Sequence, residues 1–357
     1  MNTVNNAITI QKIAQSRLKE HNQQDTGFGR IVSDHMLFAD YIDGQWQEPV
    51  IVPFGDFTMS PTALALHYGQ TVFEGMKAFR MHDGNISVFR TDKHYQRICL
   101  SLERMCMPPV PKEHFAEGIR QLVTLDHEWV PRSEGAALYI RPFMFASEAR
   151  FGMKISDEYR FMIFTGPVGP YYAQPLRVKV ETEFVRAAPG GTGAAKCGGN
   201  YGASFYPARQ AQQEGFDQVL WTDSTTHEFI EESGTMNILF VIDDIVITPS
   251  LTDTILDGVT RSSMLQLAAD MGMKVQQRKI SYHEMQAALD NGVSVEAFGA
   301  GTAAVTAPIS SIHIQGKDYE LPTYTSNSFC NRVKQLLTDI RTGISPDKYH
   351  WNTVIHL

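Results

Sequence analysis

From about residue 27 the chain alternates short apolar runs of strand character with amphipathic stretches of helical period. Over 92–106, Tyr95, Ile98, Leu102 and Met105 recur three to four residues apart, and Phe115, Ile119 and Leu122 do the same over 112–125. Both spacings predict helices with one apolar face. "MHDGNISVFR" sets an Asp83-Gly84 turn between apolar runs, a hairpin signal. "AALYIRPFMF" predicts a half-buried strand, and "GTMNILFVIDDIVITPS" two strands turning at Asp243-Asp244. "GVTRSSMLQLAADMG" predicts a helix opening just after Gly258, and a last helix aligns Phe329, Val333, Leu336 and Ile340. Strands outnumber clean βαβ crossovers, so the expected class is α+β with mostly antiparallel or mixed sheets. No internal repeat is visible.

A Gly/Pro-rich passage, "GPVGPYYAQP" at 166–175, breaks the pattern. It divides the expected organisation into a polar N-terminal leader (1–26), a smaller α/β domain (27–168), a linker (169–182) and a larger domain (183–357). A chain of 357 residues suits two domains. The net charge of −8 gives no reason to expect a nucleic-acid partner. The four cysteines, Cys99, Cys106, Cys197 and Cys330, lack CxxC or Cys/His spacing, which argues against disulfides and structural zinc and suits a reducing, cytoplasmic compartment. No apolar run approaches the roughly 20 residues of a membrane span. The first 25 residues lack the apolar block of a signal peptide. The leader has no assignable role.

One stretch stands apart. "GGTGAAKCGGNYGAS" (190–204) places Lys196 among Gly190, Gly191, Gly193, Gly198 and Gly199. A phosphate loop of the G-x-x-x-x-G-K-[ST] type would need a second glycine where Ala195 stands and a Ser/Thr where Cys197 stands. A solvated lysine on a flexible loop fits poorly with Cys197, Tyr201 and Phe205 close by. The third reading is a covalent lysine, whose amine condenses with an aldehyde cofactor when burial or nearby positive charge lowers its pKa. Such a site also demands a carboxylate for a ring nitrogen, an anion site for a phosphate and a means of holding substrate.

Those demands have candidates. "IEESGTMN" offers Glu232 with Thr235 three residues on, and a carboxylate there keeps a pyridine nitrogen protonated. "LDGVTRSS" puts Gly258, Val259 and Thr260 at a helix N-terminus, where free amides and the dipole suit a phosphate. "GAGTAA" adds amides and the Thr302 hydroxyl, and Arg97 in "HYQRI" a bidentate cation. Each alone is a weak signal, and their joint occurrence is the argument.

With these residues in hand, the chain resembles the branched-chain amino acid aminotransferases, of the class IV, D-alanine aminotransferase-like fold of pyridoxal-phosphate enzymes. The resemblance runs from about residue 27 to 342, on "FGRIVSDHML", "HYGQTVFEGMKAFR", "LYIRP", "GPVGPYY", "KCGGNYG", "ESGTMN", "DGVTR" and "GAGTAAV", in the family's order. It implies a two-domain α+β fold, with 183–357 as the larger, cofactor-binding domain and pyridoxal 5'-phosphate as cofactor. It implies that Lys196 is the covalent attachment point and the proton shuttle, Glu232 the partner of the pyridine nitrogen and Tyr201 that of the phenolic oxygen. Arg97, Gly258, Val259, Thr260 and Thr302 form the implied phosphate cradle, and Leu256 lies under the ring. Thr235 and the Ala303 backbone hold the substrate carboxylate. Phe28, Tyr68, Phe73 and Tyr139 wall the side-chain pocket.

Apolar walls suit leucine, isoleucine and valine, whereas the shared donor glutamate brings a distal carboxylate. Arg141 shares a strand face with Tyr139 by period two and supplies a cation for it, with Tyr68. The implied reaction is a ping-pong amino transfer between branched-chain L-amino acids and 2-oxoglutarate. The same resemblance implies a homodimer with residues of the neighbouring subunit in each active site. D-amino acid aminotransferases and aminodeoxychorismate lyases share the lysine and glutamate and are the rivals within the fold. A nucleotide-binding protein using the lysine loop is the rival from another class. Mammalian members carry a CxxC after the Gly-x-Gly-Thr loop; here "TAAVTAP" has none, so Cys197 and Cys330 read as small apolar residues.

Overall fold

The computed structural model describes residues 8–20, 28–172 and 174–357. The chain forms two compact units. The first comprises 1–171 and 340–357, the second 172–339.

The first unit is built on a ten-stranded sheet, counted among the described residues. Its order is Thr9–Ile10, Val50–Pro53, His35–Ile42, Tyr159–Val168, Ala137–Ala146, Met76–Arg80, Ile86–Phe89 and Asn352–Ile355. Thr71–Phe73 also pairs with Ala137–Ala146, and Gln45–Trp46 with His35–Ile42. All neighbours run antiparallel except Thr9–Ile10 on Val50–Pro53. The Asp83-Gly84 turn joins Met76–Arg80 to Ile86–Phe89. The two expected helices form at Thr91–Arg104 and Lys112–Leu125, and Ile98, Leu102, Phe115, Ile119 and Leu122 are buried as their spacing requires.

The long strand Ala137–Ala146 carries Pro142, which has no N–H to give the ladder. Its partner is interrupted at that point. Phe73 lies opposite Phe143 and Met76 opposite Ile140, while Glu74 and Gly75 sit between the two short strands. The Glu74 N–H donates to the Pro142 carbonyl at 2.7 Å, the one ladder bond that proline still permits there.

The second unit holds a sheet of nine strands among the described residues. Ile230–Ser233, Gln218–Thr222, Leu176–Glu181, Val305–Ile314, Val295–Gly301 and Met236–Ile242 pair in that order, and the last pairs back onto the first. The six strands therefore close into a ring, which removes their edges. Leu220, Ile230, Ile238, Phe240, Ala297 and Ile309 belong to its buried apolar cluster. Ile245–Thr248, Lys274–Gln277 and Lys317–Glu320 extend it. Parallel pairs occur where Leu176–Glu181 meets Gln218–Thr222 and Val305–Ile314, so this sheet is mixed. Asp243 and Asp244 both take positive φ, 48° and 61°, as a two-residue type I′ turn requires. The helix after Gly258 spans Val259–Asp270, and the last helix Phe329–Thr342.

Three expectations on organisation change. Residues 176–181, placed in the linker, are a strand of the second sheet, and 166–168 finish a strand of the first. Residues 340–357 belong with the first unit, because Asn352–Ile355 pairs with Ile86–Phe89. Of the leader, 1–7 and 21–26 lie outside the described residues, but 8–20 is docked. Ile13 N donates to His35 Nε2 at 3.0 Å and Arg17 N to Asp34 Oδ1 at 2.9 Å.

Candidate active site

Within the second unit, Lys196 lies just before the short helix Gly199–Gly202, on which Tyr201 sits. Lys196 Nζ donates to Tyr201 Oη at 2.8 Å. The loop is pinned by Asn200, whose Nδ2 donates to the carbonyls of Thr192 and Ala195, each at 2.8 Å. A Cβ at Gly193 would lie 2.6 Å from the Thr254 backbone, so glycine there serves close chain approach. Phe205 departs from its reading as buried material: it is 70% exposed.

Glu232 sits in the buried strand Ile230–Ser233 and is 3% exposed. Its Oε1 accepts from Asn237 Nδ2 and from the Leu256 N–H, each at 3.1 Å. Its Oε2 lies 2.9 Å from Arg186 Nε, but the two are not aligned as a hydrogen bond, and among the described residues that buried Nε has no hydrogen-bond partner. Burial pushes the Glu232 carboxyl above its ordinary value, against the opposing pull of Arg186, the Leu256 amide and Lys196. Asn237 Nδ2 also donates to the Leu256 carbonyl at 2.9 Å, tying Glu232 to the loop that leads into Gly258. Gly258 caps the helix in an extended conformation, φ −69° and ψ 121°. A Cβ there would meet Asn237 Oδ1 at 1.9 Å. Val259 and Thr260, both buried, open the helix, whose first turn leaves amides without intrahelical partners.

Thr235 is exposed in the two-residue turn with Gly234, between the paired Ser233 and Met236. Only Gly234 has positive φ, 55°, as in a type II′ turn. Thr302 and Ala303, both half-buried, fill the three-residue turn between Gly301 and Val305. Val305 takes φ 63°, a left-handed conformation strained for a β-branched residue.

The first unit carries the other candidates. Arg97 is buried and grips Glu74 with Nε at 2.7 Å and Nη2 at 2.8 Å. His94 Nδ1, at 2.9 Å, and the Gly75 N–H, at 3.1 Å, reach the same carboxylate. Glu74 is wholly buried, yet Arg97 and His94 hold it well below the usual carboxylate range. Phe28 packs edge-on to Tyr139 and to Tyr171, each with centroids 4.9 Å apart. Arg141 lies over the rings of Phe73 (4.9 Å) and Tyr139 (5.2 Å), and its Nη2 donates to Tyr139 Oη at 3.2 Å. A cavity of about 190 Å³ is lined by Phe28, Tyr139 and Arg141, and one of about 420 Å³ by Phe73, Arg141 and Phe143. Tyr68 lines neither cavity. It is 43% exposed and its hydroxyl donates to the Phe151 carbonyl at 3.0 Å.

Sequence reasoning missed Glu74, Arg186, Asn200 and Asn237. Glu74 lies inside a quoted motif, but nothing local announces a partner 23 positions away.

The model of the class IV amino-transferases matches residues 71–312. A branched-chain-amino-acid transaminase 1 of Bacillus subtilis is 42% identical over 334 residues, 92% of this chain and 94% of that protein. Among solved structures, the branched-chain amino acid aminotransferase of Escherichia coli superposes with a TM-score of 0.74 at 26% identity, covering 89% of this chain and 99% of that one. That of Thermobaculum terrenum, in its PLP form, gives 0.72 at 20% identity, covering 91% and 99%. The chain belongs to the class IV aminotransferases. It is thereby one of the pyridoxal-phosphate enzymes.

The residues present fit that cofactor. Glu232 Oε2 accepts no aligned hydrogen bond among the described residues, and Arg186 Nε beside it is an orphaned buried donor. A donor from such a group would find Oε2 free to accept it. The Lys196–Tyr201 pair and the helix opening at Gly258 present an amine, a hydroxyl and amides of the kinds such a group would need.

Proposed function

We propose that this chain is a branched-chain amino acid aminotransferase, moving the amino group of L-leucine, L-isoleucine or L-valine to 2-oxoglutarate and back by a ping-pong scheme. The observation that carries it is Lys196 on Tyr201, with a buried Glu232 whose second oxygen accepts no aligned hydrogen bond among the described residues. The names of the relatives support the substrate class.

Pyridoxal phosphate, when bound, supplies an aldehyde carbon and a ring that draws electrons from the substrate α-carbon. Lys196 would hold it covalently, Glu232 at the ring nitrogen, Tyr201 at the phenolic oxygen and Leu256 under the ring. Gly258, Val259, Thr260, Thr302 and Arg97 would hold the phosphate. The Lys196 amine, kept in place by its hydrogen bond to Tyr201 Oη, would take the substrate α-proton and later give it back. Thr235 and the Ala303 backbone would hold the substrate carboxylate. Phe28, Phe73 and Tyr139 offer apolar walls to a branched side chain, and Arg141 a cation to glutamate. The first product leaves before the second substrate enters, so double-reciprocal plots should be parallel.

The proposal includes a homodimer. Phe151, Met153, Ile155, Leu66 and Tyr68 are 86%, 80%, 59%, 58% and 43% exposed, and the hydrogen bond from Tyr68 Oη to the Phe151 carbonyl brings two of them together, apolar side chains that a second copy would cover. A second copy on this face gives Tyr68 its pocket role from the neighbouring subunit. No helix of the described residues is long and apolar enough to cross a membrane, and the cysteines are unpaired, which supports a cytoplasmic setting.

The test is spectroscopic first. Purified protein should be yellow, and borohydride should fix the colour to the Lys196 peptide. Colourless protein with unmodified Lys196 would sink the proposal. Assays of L-leucine, L-glutamate, D-alanine and aminodeoxychorismate side by side then separate it from its relatives in the fold.

A further inference from the structure

We propose that Gly75 sets substrate specificity: its missing side chain is the notch that seats the Tyr139 hydroxyl, and through it holds Arg141. This rests on the pocket reading above.

Gly75 does not serve a turn, since its φ lies outside the left-handed range. It serves space. A methyl there would lie 2.0 Å from Tyr139 Oη and 2.8 Å from Cζ, so something must move. The backbone cannot easily retreat. Gly75 N–H donates to Glu74 Oε2, and that carboxylate is clamped by Arg97 and His94. On the other side, the Glu74 N–H is fixed to the Pro142 carbonyl. The movable partner is the tip of Tyr139.

Displacing that tip has a specific consequence. Tyr139 Oη accepts the Arg141 Nη2 hydrogen bond at 3.2 Å, and the Tyr139 ring is one of the two rings under the guanidinium. Arg141 Nε is buried and, among the described residues, without a hydrogen-bond partner. The guanidinium is therefore held by Phe73, the Tyr139 ring and the Tyr139 hydroxyl. Arg141 lines both cavities, so it stands where a side chain in either one meets it. A substrate with a distal carboxylate needs that cation in place, whereas a branched apolar side chain needs only walls. Position 75 thus tunes the first requirement more than the second, without touching either substrate.

The test is a double-mutant cycle on the cofactor-saturated protein, reading kcat/KM for L-glutamate and L-leucine. Gly75→Ala should lower the L-glutamate value by about tenfold or more and the L-leucine value by less than about threefold, because only the acidic side chain loses a polar partner. In a Tyr139→Leu background there is no tip to displace, so the added effect of Gly75→Ala should shrink to less than about twofold. If Gly75→Ala alone does not accumulate as folded protein, the double variant should, since the methyl then has room. Equal losses for the two substrates, or an undiminished Gly75→Ala effect in the Tyr139→Leu background, would overturn the inference. A double variant that still fails to fold does the same. A wild-type protein that transaminates neither substrate instead defeats the proposed function, a distinct result.

Discussion

Glu74 and Glu232 invite comparison. Each is a carboxylate on or beside a strand, each is almost wholly buried, and each has an arginine within about 3 Å. Yet Glu74 is held below the ordinary carboxylate range and Glu232 above it. The difference is alignment. Arg97 meets Glu74 through two directed N–H bonds, one to each oxygen, and His94 and the Gly75 amide add two more contacts to Oε2. Arg186 is equally near Glu232, but its Nη2 is committed to the carbonyls of Gly193 and Thr254, and its Nε is not directed at the carboxylate. Burial then dominates. A carboxylate whose bonds are all supplied by the chain is a structural joint; one left a bond short is ready for a cationic donor from outside.

The strongest way to break this contrast is to remove each charge. Glu74→Gln should cost about 3–5 kcal/mol of fold stability, because it strands a buried arginine. Urea unfolding of the cofactor-free protein measures it, and a cost below about 1 kcal/mol would make Glu74 no joint at all. Glu232→Gln should leave stability within about 1 kcal/mol while lowering kcat by about a hundredfold or more. Steady-state rates with saturating cofactor read that out.

The pH dependence sharpens the comparison further, with opposite signs for the two groups. Glu74 releases its proton more readily folded than unfolded, so its contribution is fully present above about pH 4.3 and is lost as pH falls towards its depressed folded value. Glu232 holds its proton more tightly when folded. Its contribution is present below about pH 4.3 and declines as pH rises through the raised folded value. In the cofactor-free protein, the stability gap between wild type and Glu74→Gln should therefore widen with rising pH, while Glu232→Gln gains on wild type. Parallel slopes would erase the distinction.

The smallest effect extends the argument to a thiol. Burial pushes Cys330 up to about 12, and Cys197 is 1% exposed. Neither should react with a thiol reagent at about pH 8, whereas exposed Cys106 should label within minutes. Peptide mapping after labelling decides it.

The comparison also explains what could be read in the chain beforehand. Helices at 92–106 and 112–125 were legible because their apolar period is local, and so was the Asp243-Asp244 turn. Lys196, Glu232 and the Gly258 helix opening stood out because glycine punctuation is local too. The Glu74 clamp was not legible, because its arginine lies two strands further on, within the helix Thr91–Arg104. Nor was Arg186, an ordinary residue whose meaning comes from three chain segments converging. The ring of the second unit depends on Leu176–Glu181 pairing with Val305–Ile314, a long-range match that single-strand patterns do not encode. Tyr68 comes to the pocket only through the resemblance, and the single chain sends its hydroxyl to the Phe151 carbonyl.

The return of Asn352–Ile355 to Ile86–Phe89 has a consequence for synthesis. The strand at the edge of the first sheet leaves the ribosome only after all of the second unit, so that sheet waits unfinished while 172–339 is translated. During that interval Ile86–Phe89 presents an open edge, the kind of surface that chaperones cover and neighbouring nascent chains can capture. Overproduction with a premature stop before residue 352 should therefore yield aggregates rather than a clipped enzyme. A purification tag is better placed where it does not burden the last strand to arrive.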